Sequence, residues 1–152
     1  MKIKKCKNCR SSSLLNLFSL GNLNFTGKFP KSKSTNINKG HLGLVMCKKC
    51  SLVQLSKSFN LRYLYGPDYG YKTGINKTMR DHMNYIRRML SNKSKLNSGD
   101  YVLDIASNDA TLLNFYSKNI IKVGVDPLVN KYIKFYKNVN YKISDFFSAD
   151  KI

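Results

Sequence analysis

The sequence predicts an α/β protein of two units: a small N-terminal domain that contains cysteines, and a C-terminal unit built around a parallel sheet. Two cysteine pairs with the spacing Cys-x-x-Cys define the first unit. Strand-like and helix-like stretches alternate after residue 100, which is typical of parallel sheets. Charge also divides the chain, since residues 1–67 hold 13 basic and no acidic side chains and the remainder holds 14 basic and 8 acidic ones.

The first predicted unit, residues 1–67, has only short apolar pieces. Residues 14–20 are apolar, and residues 43–46 and 52–55 are β-like pieces beside the second cysteine pair. Turn residues at 21–22 and a run rich in lysine, serine and asparagine over 31–39 predict loops. A domain with so little apolar material generally needs a disulfide or a metal for stability.

The cysteines provide that stabilisation in the predicted fold. Two thiolates from each of two turns complete the tetrahedron that zinc prefers in structural sites. An iron–sulfur cluster fits the same spacing. Disulfides are disfavoured because no secretion signal is evident, and a redox pair because neither motif begins a helix of a thioredoxin-like unit. We therefore expect a zinc-ribbon-like domain with one structural zinc, whose ligands are Cys6, Cys9, Cys47 and Cys50.

Residues 68–99 are predicted as an aromatic motif followed by a linker helix. Four tyrosines and three glycines fall within residues 61–74. A helix that ends near residues 91–92 is then indicated by apolar side chains at helical spacing, namely Ile75, Met79, Met83, Ile86 and Leu90. His82, between two of these methionines, is interpreted as a residue that packs the helix.

Residues 100–152 are predicted as a strand–helix–strand–helix–strand unit with right-handed crossovers. The strands are expected at 101–106, 120–125 and 139–143, and the helices at 111–118 and 130–137. Such a unit is the first half of a doubly wound sheet, which binds ligands at the carboxyl ends of its strands. Asp126 follows the second strand, where an acid can accept hydrogen bonds from ribose hydroxyls, although a turn or cap role is the alternative. The first loop lacks the glycines of a dinucleotide fingerprint.

The order of these motifs resembles the S-adenosylmethionine-dependent C-methyltransferases of nucleotide-sugar biosynthesis. In that family a small zinc-binding domain precedes a Rossmann-like methyltransferase domain. The resemblance therefore implies that residues 100–152 are part of such a domain. It extends over the whole chain and includes both cysteine pairs, Leu52-Val-Gln-Leu55, Tyr69-Gly-Tyr71, Asp104-Ile-Ala-Ser-Asn-Asp109, Gly124-Val-Asp-Pro127 and Asp145-Phe-Phe-Ser148.

The resemblance also implies roles for individual residues. The loop under the methionine part of the cofactor corresponds to Ala106, Ser107, Asn108, Asp109 and Ala110. The ribose-binding acid corresponds to Asp126, and the adenine end of the site to Asp145 and Phe146. Tyr69 and Tyr71 correspond to an aromatic motif beside the sugar-binding cleft, where tyrosine offers a flat face and a hydroxyl. Ala110 replaces a usual glycine, so its Cβ is expected to crowd the cofactor or to strain a turn with positive φ.

The resemblance implies an enzyme of which this chain is the N-terminal part. The family enzymes continue further, and none of the chain's residues matches their catalytic histidine. Proton abstraction beside a ketone needs such a base. We therefore expect a cytoplasmic chain that is inactive alone and belongs to an enzyme acting on a nucleotide-linked deoxy-keto sugar. A separate C-terminal chain is a further candidate partner.

A stand-alone basic module that binds nucleic acid or a partner protein is the alternative function. The net charge of +19 favours it. The 22 lysines and 5 arginines weigh against it, because specific nucleic-acid sites use arginine for bidentate contacts. A membrane protein is not expected, since no stretch approaches the roughly 20 apolar residues of a membrane-spanning helix.

Overall fold

Two three-stranded sheets organise the chain, one in each of two units that divide after Gly70. The computed structural model describes residues 1–151. The first unit is an antiparallel sheet in the order β1 (Leu14–Asn24), β2 (Lys39–Cys47) and β3 (Val53–Leu55). The two β-like pieces predicted beside the second cysteine pair lie within β2 and β3.

Strand β1 continues through the turn predicted at residues 21–22. The pairing of β1 with β2 shifts between Ser19 and Asn22, and Gly21 has a φ of +73° within the shifted segment. A glycine in this left-handed conformation allows a bulge without ending the strand. The local prediction of a loop was therefore wrong, because cross-strand pairing outweighs the turn preference of these residues. The loop predicted over 31–39 is irregular up to Asn38.

The first unit has almost no apolar core. In the described chain up to Gly70, the buried side chains are those of Cys6, Val45, Cys47 and Gln54, and only the two cysteines are fully buried. Apolar side chains of β1 such as Phe18 and Leu20 are instead 53% and 59% exposed. Burial in this unit is therefore concentrated at the cysteines, as the sequence predicts for a domain that depends on a metal.

The second unit begins with a 3-10 turn at Thr73–Ile75 and the helix α2 (Lys77–Ser94), preceded in the first unit by the short helix α1 (Leu61–Leu64). Asn76 caps α2, since its side chain accepts a hydrogen bond from the Met79 N–H. Helix α2 extends two residues past its predicted end and has no fully buried side chain. The packing role expected for His82 is wrong: its ring is exposed and stacks on Tyr85, with centroids 6.4 Å apart.

A parallel sheet follows, in the order β4 (Tyr101–Ile105), β5 (Ile121–Val125) and β6 (Tyr141–Ile143). Its three strands lie where the sequence predicts them, and the central strand β5 is the most buried. The core beside it is apolar and aromatic, and includes Leu113, Tyr116, Val125, Val129 and Tyr136.

The two crossover helices predicted at 111–118 and 130–137 do not form in the described structure. Short 3-10 turns occupy those positions, at Leu113–Phe115 and Ile133–Phe135. Both stretches contain two or three aromatic side chains, one asparagine and no alanine, so their helix propensity is low. A further 3-10 turn lies at Ala149–Lys151. No helix among residues 1–151 has the length and apolar content to cross a membrane.

Candidate functional site

The four cysteines form one cluster in the first unit. Their Sγ atoms all lie within 4.8 Å of one another, and the Cys6–Cys50 and Cys9–Cys47 pairs are 3.6 and 3.5 Å apart. A disulfide requires about 2.05 Å between sulfurs, whereas sulfurs bound tetrahedrally to zinc at 2.3 Å lie about 3.8 Å apart. All four cysteines are free thiols. The cluster therefore has the donor atoms and the spacing for a tetrahedral zinc ion.

Two turns of the same conformation present these cysteines. In the first cysteine turn, residues 6–10, the Arg10 N–H donates to the Cys6 carbonyl at 3.1 Å, and in the second, residues 47–51, the Ser51 N–H donates to the Cys47 carbonyl at 2.8 Å. Arg10 and Ser51 have φ values of +61° and +60°. Because neither residue is glycine, each turn includes a strained position that the sequence analysis did not identify.

Backbone N–H groups favour the thiolate form of the first cysteine in each turn. The N–H of Cys9 lowers the pKa of Cys6 to about 6, and the Gln54 side chain adds to this effect. The N–H of Cys50 likewise lowers the pKa of Cys47. The N–H of Ser11 acts in the same direction on Cys9, but burial and the other three sulfurs together raise its pKa to about 11. Four thiolates therefore need a cation between them to coexist.

Gln54 is part of this cluster, although no sequence motif assigns it a role. Its side chain is 8% exposed, and its Oε1 atom accepts a hydrogen bond from the Lys7 N–H at 3.0 Å. Lys7 lies within the first cysteine turn. The period-2 pattern of β3 alone could have indicated that residue 54 faces inward between Val53 and Leu55, which are exposed.

In the second unit, the loop 106–110 follows β4 and is mostly buried. Ser107, Asn108, Asp109 and Ala110 are each at most 9% exposed. Positive φ values occur at Ala106, Asn108 and Ala110. Ala110 is fully buried with a φ of +59°, so the strained turn expected at this alanine is present.

Asp126 connects this loop to the next strand. Its Oδ2 atom accepts from the Asn108 N–H at 3.0 Å and its Oδ1 atom from the Leu128 N–H at 2.7 Å. The residue is 6% exposed, so the carboxylate organises the backbone around it. Burial, with a smaller contribution from Asp126, raises the pKa of Asp104 in β4 to about 6.

The same loop also binds the polypeptide segment of Tyr71. Asn108 Oδ1 accepts from the Thr73 N–H at 2.9 Å, and Asp109 Oδ2 accepts from the Gly74 N–H at 2.9 Å. The Tyr71 carbonyl accepts from Asn108 Nδ2 at 3.3 Å and from the Tyr132 hydroxyl at 3.0 Å. These contacts join residues 35 to 61 positions apart, so no local sequence pattern indicates them.

The remaining predicted site residues are distributed over both units. Asp145 and Phe146 are half-buried and follow β6, at the sheet edge that also holds loop 106–110 and Asp126. Tyr69 belongs to the first unit, where its ring packs over Gly27 and lies 5.3 Å from the ring of Tyr65. The two tyrosines of the predicted aromatic motif are thus in different units.

One family model matches the chain. Residues 6–65 match Methyltransf_13, described as "Putative zinc binding domain". The matched range is less than half of the chain and includes all four cysteines. These residues are therefore similar to a zinc-binding domain associated with methyltransferases, in agreement with the geometry of the cluster. No curated protein matches the chain.

Proposed function

We propose that this chain is the N-terminal part of an S-adenosylmethionine-dependent C-methyltransferase that acts on a nucleotide-linked deoxy-keto sugar. The main support is the cysteine cluster within a segment similar to a methyltransferase-associated zinc-binding domain. The parallel sheet of the second unit adds support, because loop 106–110, Asp126 and Asp145 all follow its strands at one edge. A Rossmann-like sheet binds its ligand at that edge.

The cofactor site would be formed by that edge of the sheet. S-adenosylmethionine supplies an electrophilic methyl group when bound. Asp126 would accept the ribose hydroxyls: a carboxylate has about four acceptor positions, and the hydrogen bonds from the Asn108 and Leu128 N–H groups use two of them. Phe146 would contact the adenine ring and Asp145 its amine. Tyr71 would line the sugar side, since its backbone is hydrogen-bonded to loop 106–110.

The proposal assigns the catalytic base to a polypeptide outside these 152 residues. The chain has two histidines, and neither matches the catalytic position that the resemblance implies. His41 lies on β2 in the first unit with its Nε2 atom 3.1 Å from Ser19 Oγ, and His82 is exposed on α2. We expect the purified chain to bind the cofactor without methylating nucleotide-linked keto sugars. Methyl transfer from labelled cofactor by this chain alone would contradict that assignment.

Calorimetric titration with S-adenosylmethionine and S-adenosylhomocysteine tests the cofactor site. The zinc-loaded chain should bind both, and Asp126→Asn should weaken binding at least tenfold by removing charge from the acceptor of the ribose hydroxyls. Asp81→Asn, which removes the same charge from an exposed residue of α2, is the matched control and should bind normally. Phe146→Ala should weaken both ligands without affecting the backbone hydrogen bonds of Asp126. Equal binding by all four proteins, or no binding by the folded wild type, would overturn this site.

A further inference from the structure

A buried carboxamide lies against the first cysteine turn with only one of its two ends paired. Gln54 Oε1 accepts the Lys7 N–H at 3.0 Å, and this backbone donor determines the orientation of the amide because only the oxygen can accept. Gln54 Nε2 is buried and has no hydrogen-bond partner among the described residues. An unsatisfied buried donor costs a fold stability, so such a group generally has an acceptor in the functional state.

We propose that Gln54 is a positioning residue of the metal centre, whose Nε2 N–H donates to the Cys6 thiolate when the four cysteines hold zinc. Its Oε1 atom anchors the first cysteine turn through Lys7, the neighbour of Cys6. The same amide thus sets the position of the turn and neutralises part of the charge on its sulfur. This inference depends on metal binding by the cysteines and not on any methyltransferase activity.

Three features of the structure support this assignment. Gln54 pairs with Val45 on β2, the strand that leads directly to Cys47, so the amide is held by a regular sheet. It is one of only four buried side chains in the described first unit, and two of the others are cysteines. A zinc ion with four thiolates has a net charge of −2, and N–H donors from the surrounding protein stabilise such a centre.

Two substitutions distinguish the role of the amide oxygen from that of the amide nitrogen. Gln54→Glu keeps an oxygen for the Lys7 N–H but replaces the free donor with an acceptor that repels thiolates. Gln54→Met has a similar length and removes both hydrogen bonds. Asn36→Asp is the matched control, because it makes the same amide-to-acid change at an exposed residue of the same unit.

Metal affinity is measured by competition of the full chain with a chromogenic chelator, using zinc and then cobalt. Both Gln54 variants should bind metal at least tenfold more weakly than the wild type, and Asn36→Asp should remain within twofold. The sulfur-to-cobalt charge-transfer band should move to lower energy in both, since a thiolate that loses an N–H donor is easier to oxidise. Wild-type affinity and an unshifted band in Gln54→Glu would show that only the Lys7 anchor matters and would overturn the proposed donation.

A measurement on the wild-type chain keeps the proposal testable if both variants fail to fold. In protein loaded with cadmium-113, N–H groups that donate to cadmium-bound sulfurs show scalar coupling to the metal. We expect this coupling at the Gln54 side-chain amide, with the Cys9 and Cys50 backbone N–H groups as internal references. Coupling at both references without any at Gln54 would overturn the proposal.

Discussion

The two units of this chain achieve stability by different means. The first buries four side chains, two of them cysteines, whereas the second buries a set of apolar and aromatic side chains around β5. Charge follows the same division, because up to Gly70 the only acidic residue is Asp68, which pairs with Lys28 at 3.1 Å. We therefore expect the small basic sheet without an apolar core to need the metal, and the sheet with its own core to fold without it.

Removal of the metal should affect the two units very differently. Chelation or Cys47→Ser should unfold the first unit, because zinc contributes about 10–16 kcal/mol to the folding of small thiolate domains. The second unit should keep its protected amides. Amide hydrogen exchange resolved along the sequence distinguishes the two, and Ser13→Ala, outside the cysteine turns, is the control. Loss of protection on β5 as well would show that both units depend on the metal.

Truncation of an apolar side chain should have the opposite effect. Leu113 is fully buried beside β5, and an added Cβ at Gly124 would lie only 3.1 Å from it. Leu113→Ala should destabilise the second unit by about 2–5 kcal/mol through lost burial and a cavity. Zinc affinity should not change. Thermal denaturation together with chelator competition measures both effects, and weakened zinc binding would contradict the independence of the units.

Loss of a polar contact in the second unit should have a smaller and more local effect on stability. Asp109→Ala removes the acceptor of the Gly74 N–H and the partner of Thr111, at a cost of about 1–3 kcal/mol. Faster exchange of the Gly74 amide should accompany the loss. Asp81→Ala, which removes an exposed ion pair with Lys77, should cost less than about 1 kcal/mol. Equal effects of the two substitutions would refute a structural role for loop 106–110.

Asp104 should give the second unit a distinctive dependence on pH. Its pKa is raised from 3.8 to about 6, so the folded state binds the proton more tightly than the unfolded state. Stability should therefore rise as the pH falls from about 6 toward 4. Asp104→Asn should remove this rise and stabilise the unit at pH 7 by on the order of 1 kcal/mol, allowing for partial exposure. Denaturation of the second unit at several pH values tests this, and an unchanged pH profile in the variant would contradict it.

Relief of backbone strain should give the smallest effects. Arg10→Gly and Ser51→Gly place glycine at positive φ in the cysteine turns, and Ala110→Gly does so in loop 106–110. Each should stabilise its own unit by about 0.5–1 kcal/mol after the larger entropy of the unfolded glycine chain is counted. Zinc-loaded thermal denaturation measures all three. Gly99→Ala is the reverse control. It places a Cβ at a residue whose φ is +90° and should destabilise the second unit.

The sequence by itself determined the metal ligands and the strands of the parallel sheet. Two Cys-x-x-Cys pairs specify a tetrahedral thiolate set with little dependence on the rest of the fold, and buried strands are visible as apolar runs. The crossover helices failed because the runs that suggested them contain several aromatic side chains and no alanine, and packing against β5 was satisfied by shorter 3-10 turns. The sequence also could not show that β1 passes through Gly21, because strand pairing is a long-range effect.

Only the tertiary structure decided which polar groups meet. Gln54 reaches Lys7 across 47 positions, and Asn108 reaches Thr73 across 35. No periodicity or spacing encodes such contacts, because they depend on how strands and loops return to one another in space. The type and spacing of the cysteines therefore identified the metal site. The polar contacts around that site, and those that order the loop after β4, depend on the tertiary structure.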